Sequence, residues 1–154
     1  MKKFIYIFLL FFCTIIYVKA DETKDVQAFF NEYINCANSY GQNFFNFYSN
    51  NAKIIRVVEK PDGTFTSINI PIDKYKNEVK KSTKLMRLRR YKNNYFNVKI
   101  TQFGEDYKIS ALRMPSTSNY KIPAHFIVGK DNKGEWKIKE ESMNTKVQKF
   151  LEHS

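Results

Sequence analysis

Residues 129–142 read GKDNKGEWKIKEES. The turn signal DNKG lies between two β-rich runs, and the chain's one tryptophan, Trp136, follows it almost at once. Behind the turn apolar and charged residues alternate, with Trp136 and Ile138 on one side of the period and Lys137 and Lys139 on the other. A period of two marks a strand with one face on a core and one in water. This strand closes a hairpin with the preceding run YKIPAHFIVG, residues 120–129. Carried two residues on, the same period puts Glu140 on the face of Trp136.

Further back, YKISALRM (107–114) and YFNVKITQF (95–103) form a second pair of strands across the turn GED. The alternation in the earlier run sets Phe96, Val98 and Ile100 inward against Asn97, Lys99 and Thr101. The stretch 53–70 predicts another hairpin, with strands at 53–59 and 64–70 around KPDG, where proline fixes φ and glycine admits a positive φ. Between the hairpins the spacing turns helical over 71–88. Ile72, Tyr75, Val79 and Met86 share a face, the lysines take the other, and Pro71 suits a first turn. Helical spacing also governs 25–37, where Val26, Phe29, Phe30, Tyr33, Ile34 and Ala37 form one stripe, with Thr23 or Asp25 as cap. Gly41 breaks that helix, and Phe44, Phe45, Phe47 and Tyr48 predict a short aromatic second helix ended by Asn50 and Asn51. The tail, about 145–152, reads as a short helix or a frayed end.

The order is therefore α-α-β-β-α-β-β-β-β: an α+β domain with a curved, mixed or antiparallel six-stranded sheet and three helices covering one of its faces. This order resembles the NTF2-like superfamily of cone-shaped domains, with its SnoaL-like and ketosteroid-isomerase-like groups. The residues that carry the resemblance are VQAFFNEYINCA (26–37), the step NFFNFYSNNAKI (43–54) into the first strand, and GEWKIKEE (134–141) at the close. It covers nearly all of residues 25–142. The resemblance implies an apolar pocket at the open end of the cone, and an outer sheet face through which members pair.

The first twenty residues read as a signal peptide. Lys2 and Lys3 precede an apolar run, residues 4–17, and VKA supplies the small residue before a cut between Ala20 and Asp21. The apolar run is shorter than the roughly 20 residues that span a bilayer, so a secreted or periplasmic protein is expected, with an N-terminal membrane anchor as the alternative. Residues 21–154 then form one domain. The formal net charge of +11 falls only by the three lysines of the signal, so the remainder stays basic. An anionic surface or a protein is the expected partner of that charge, rather than nucleic acid. Cys13 leaves with the signal, so Cys36 has no disulfide partner and is expected to be buried. No metal-ligand spacing, nucleophile elbow or glycine-rich phosphate loop is present, and no metal or cofactor is expected.

Polar residues on apolar faces are the remaining candidates for chemistry. Period two carries Arg113 inward behind Tyr107, Ile109 and Ala111, where its planar fork suits a carboxylate or phosphate. Glu140, inward beside aromatics, suits a general acid or base, or an ion pair with Arg113. Tyr33 offers a polar tip on the buried stripe of the first helix. His125 points away from the core set Ile122, Ala124, Phe126 and Val128, towards an interface. With Arg113, Glu140 and Tyr33, the expected pocket walls are Phe30, Ile34, Phe96, Val98, Ile109 and Trp136. A second candidate surface is the basic patch Lys80, Lys81, Lys84, Arg87, Arg89, Arg90 and Lys92, interleaved with Tyr91 and Tyr95. Related enzymes keep an Asp or an Asp/His pair in the pocket, whereas the acids here fall mostly in turns and at helix ends. The sequence thus reads as a binding or interaction protein for a small apolar or amphipathic ligand. The alternatives are an isomerase-type enzyme using Glu140, Arg113 and Tyr33, and an accessory module of an envelope or secretion assembly.

Overall fold

The computed structural model describes residues 22–153, so the segment read as a signal peptide lies outside the described residues. Helix α1 runs through residues 22–38 and already includes Thr23 and Asp25, which therefore do not cap it. Its stripe Val26, Phe29, Phe30 and Tyr33 is buried. The expected second helix is a single 3-10 turn, Phe44–Phe47, so the described residues hold two α-helices rather than three. Four residues between a turn and a strand leave no room for a further helical turn. Their rings pack instead, Phe44 on Tyr33 and Phe45 on Tyr75.

Strand β1, Tyr48–Glu59, starts earlier than expected and takes in Asn50 and Asn51. It is followed by β2, Phe65–Ile70, and by α2, Ile72–Leu88. Then come β3, Asn93–Phe103, β4, Asp106–Pro115, β5, Ile122–Lys130, and β6, Trp136–Thr145. The sheet order is β2-β1-β6-β5-β4-β3. β1 and β6 run parallel, and every other pair is antiparallel. The turns KPDG and DNKG are each held by an aspartate that accepts bonds from the backbone beyond it: Asp62 from Thr64, Asp131 from Lys133 and Glu135.

Two bulges decide which side chains face inward. In β6, Ile127 of β5 pairs with Glu140 while Val128 pairs with Ile138, so Lys139 is an extra residue. In β3, Phe96 pairs with Leu112 and Lys99 with Ser110, leaving two residues opposite Ala111, and Asn97 takes a positive φ of 52°. An inserted residue shifts the phase of everything beyond it to the other face. Glu140 is therefore on the outer face, opposite Lys53 and Ile127, and Glu141 is the inward carboxylate, fully buried. Phe96 likewise lies on the outer face under Lys121, whose Nζ is 4.2 Å from the ring centre, while Tyr95 turns inward. Both differences from the alternation have one cause: a bulge interrupts the period of two ahead of Glu140 and next to Phe96.

α1 lies across the concave inner face. Phe30 meets Phe126 and Tyr95 with ring centres 5.1 and 5.4 Å apart, and Tyr33 meets Phe126. Each fully buried side chain of this size contributes roughly 1.5–3 kcal/mol, so this seam fixes the helix to the sheet. Its first turn is held by Glu22, which accepts bonds from Tyr107 and Lys130. Its last turn is held by Asn38, which exchanges two hydrogen bonds with the backbone of Asn93. The C-terminal 3-10 helix, Gln148–His153, docks on β1 through Gln148 Nε2 to the Glu59 carbonyl, and sets the half-buried Phe150 against the core.

Candidate ligand-binding site

The deepest polar group of the inner face is Glu141. Arg56 of β1 donates from Nη2 to its Oε1 over 2.7 Å. Tyr48 and Tyr33 donate to Oε2, and their hydroxyls lie 3.2 Å from each other. Three donors, one from α1 and two from β1, thus close on one carboxylate of β6. A buried ion pair is tolerable only when its remaining lone pairs are satisfied in this way. The Arg56 guanidinium is stacked between the rings of Tyr75 and Phe150, 5.3 and 5.8 Å from their centres. Burial works against its charge, but Glu141 outweighs burial and holds its pKa above the usual arginine value. Burial first, and then the charge of Glu141, push the hydroxyls of Tyr33, Tyr48, Tyr75 and Tyr95 above the usual tyrosine range. All four remain neutral at physiological pH.

Above this cluster opens a cavity of about 1230 Å³. Its walls are the end of α1, the inner side of α2, the end of β4 with the loop after it, and the C-terminal segment. Tyr33 and Arg56 form part of its floor; Phe44, Phe45, Val79, Met86 and Val147 supply apolar wall. Among the described residues its lining holds four cationic side chains, Arg56, Lys80, Arg87 and Arg113, and no acidic one.

Arg113 reaches the cavity because β4 keeps its period of two through Tyr107, Ile109, Ala111 and Arg113, all buried. Its Nη1 donates to Asn93 Oδ1 over 3.0 Å and to Tyr91 OH over 3.4 Å. Its Nε is buried and has no hydrogen-bond partner among the described residues.

This architecture is shared with solved structures. One is an NTF2-like protein of unknown function from Pseudomonas putida, with a TM-score of 0.56 and 7% identity over 79% of this chain and 84% of that one. The fold is NTF2-like. Also similar in structure are a CaMKII hub from S. rosetta (TM-score 0.54, 14% identity, 78% of this chain and 93% of that one) and a candidate ketosteroid isomerase from Parabacteroides distasonis (TM-score 0.51, 11% identity, 77% and 83%). Identities this low establish the shared NTF2-like fold alone. No family model and no curated protein matches the sequence.

Of the residues singled out in the sequence, Tyr33 and Arg113 line the NTF2-like cavity. Phe30 and Ile109 are fully buried in the core, and Ile34 and Val98 pack against it. Trp136 packs on Tyr107 and lies beneath Lys130, outside the cavity lining. Glu140 and Phe96 face outward, so Glu140, Arg113 and Tyr33 do not meet. His125 is on the outer face beside Ser110, its pKa lowered by partial burial and by Lys108. All seven residues of the basic patch are exposed, and two of them, Lys80 and Arg87, stand at the cavity mouth. Cys36 is only half-buried and borders the cavity, where burial raises its thiol pKa.

Arg56, Tyr48 and Glu141 were missed in the sequence. Arg56 carried a signal, since it lies two residues from both Ile54 and Val58. So did Glu141, because the period counted back from Met143 lands on it. Among the described residues no helix is long and apolar enough to cross a membrane, and no group of three His, Cys, Asp or Glu is placed to hold a metal.

Proposed function

We propose that this chain is an exported binding protein that holds a small amphipathic molecule in the open end of its cone. The observation that carries the reading is the pairing of a cavity of about 1230 Å³ with a floor whose Tyr33 and Arg56 already engage the buried carboxylate of Glu141 beneath it. Ligand sites are typically concave, largely apolar spaces with a few fixed polar groups. Glu141 serves here as a structural anchor: Arg56 occupies one of its oxygens and two tyrosines the other. Native mass spectrometry of the full chain, purified from the cells that make it, tests this. Expected is added mass that is lost on denaturation. Protein free of added mass, whose Tm amphipathic test compounds leave unmoved, argues against the pocket.

Export is part of the same proposal. The signal-like residues 1–20 support it, and the expected N-terminus of the mature protein is Asp21. Protein that starts at Met1 and remains in the cytosol overturns it.

A second reading concerns the outer sheet face. Phe96, Leu112 and Pro123 lie side by side there on three neighbouring strands. We propose that this stripe pairs with that of a second copy. A Leu112→Lys variant is then expected to shift the protein from dimer to monomer in light scattering, and a wild-type monomer refutes the pairing.

A further inference from the structure

We infer that the ligand is a monocarboxylate with an apolar body, and that its carboxylate is held by Arg113. This rests on the pocket reading above and specifies the ligand for it. Arg113 is nine-tenths buried, yet its only acceptors among the described residues are neutral, Asn93 Oδ1 and Tyr91 OH. Both bonds are made from Nη1. The opposite edge of the guanidinium, Nε with Nη2, is the edge that takes a planar carboxylate through two parallel hydrogen bonds. On that edge Nε is buried and unpartnered. A buried donor without an acceptor costs roughly 1–3 kcal/mol, so the site is incomplete until an acceptor arrives.

The surroundings select for charge. Arg56 contrasts with Arg113: the two share a cavity, but Arg56 is neutralised by Glu141. Lys80 and Arg87 at the mouth add positive potential, and no acidic side chain of the described residues lines the space. Such a field favours entry of an anion.

Geometry favours an anchored rather than an adaptable arginine. Asn93 accepts from Arg113 and from Tyr91, and its backbone is clamped by Asn38 at the end of α1. The guanidinium plane is thus fixed from three elements before a ligand binds, which lowers the ordering cost of binding. Phe44, Phe45, Val79, Met86 and Val147 offer the apolar body its contact surface.

Isothermal titration calorimetry with three eight-carbon probes separates the possibilities. Octanoate is expected to bind the wild-type protein about ten- to a hundredfold more tightly than 1-octanol, the value of charge-assisted hydrogen bonds. Arg113→Gln is expected to remove that preference, with Arg113→Lys in between. Octanol bound as tightly as octanoate overturns the anion assignment while the pocket stands. Binding of neither probe overturns the pocket itself. Octyl phosphate bound more tightly than octanoate replaces the carboxylate by a phosphate. Circular dichroism checks the fold of the variants, and the comparison between probes on wild-type protein stands if Arg113→Gln does not fold.

Discussion

Arg56 and Glu141 form an ion pair 2.7 Å long between β1 and β6, the two strands of the sheet that run parallel. Both are buried, and the pair ties the β1–β2 hairpin to the rest of the sheet at the depth of the cavity floor. Breaking a buried pair from one side typically costs about 3–5 kcal/mol because a bare charge is left behind. Arg56→Met is therefore expected to destabilise the protein by about that amount in urea unfolding. Adding Glu141→Gln to it removes the orphaned charge while keeping an acceptor for Tyr33 and Tyr48. The double variant is expected to recover part of the loss, with a coupling of about 1–3 kcal/mol. Strict additivity of the two single changes rules out the pair as a stabilising unit.

The bulge at Lys139 separates two adjacent carboxylates with opposite fates. Glu140→Gln, on the outer face, is expected to change stability by less than about 0.5 kcal/mol. Glu141→Gln leaves the buried Arg56 charge without its counter-ion and is expected to cost about 3–5 kcal/mol. Parallel unfolding curves of the two variants check this, and equal costs place both side chains in water.

The sequence made the element order legible because each hairpin has its own turn chemistry and each helix its own stripe. Inward direction was legible only where the period ran unbroken. β4 has no bulge, and Arg113 lies where the alternation puts it. β3 and β6 each carry an extra residue, and Phe96 and Glu140 lie on the face opposite to the one the alternation gives. A bulge is stabilised by pairing with a neighbouring strand, which a single run of residues does not encode. The partners of Glu141 were illegible for a related reason: Tyr33, Tyr48 and Arg56 are separated from it by 85 to 108 residues and meet only through the closed sheet. The aromatic second helix failed on length, its four residues sufficing for one 3-10 turn.

Folding holds the hydroxyls of Tyr33, Tyr48, Tyr75 and Tyr95 protonated beyond the pH near 10 at which an exposed tyrosine ionises. Unfolding therefore releases protons in alkali. Their contribution to stability is full below about pH 10 and is lost as the pH rises past it. Spectrophotometric titration is expected to show a late phase of tyrosinate formation that coincides with loss of near-ultraviolet circular dichroism. Tyr48→Phe is expected to shrink that phase. A titration that goes to completion while the protein is still folded contradicts the buried cluster.

Trp136 opens β6, whereas the β6 residues that line the cavity are Met143 and Thr145. Met143 lies seven positions along the strand from Trp136, about 20 Å at the usual rise. Its neighbours belong to the other end of the cone: Tyr107 edge-on at 5.8 Å, and Lys130, whose Nζ lies 4.9 Å from the ring and which also binds Glu22 of α1. The tryptophan thus packs the closed end where α1 starts. Trp136→Ala is expected to lower stability by about 2 kcal/mol, below the roughly 3–5 kcal/mol of fully buried aromatic truncations because the ring is half-buried. It is expected to leave octanoate affinity within about twofold of wild type, since a residue this far from the ligand with no shared partner adds independently. Fluorescence supplies a second readout: emission from Trp136 is expected to follow global unfolding and the Lys130→Met substitution, and to stay constant as octanoate saturates the cavity. A ligand-dependent emission shift in folded protein means that the two ends of the cone are coupled, and that the floor between them moves.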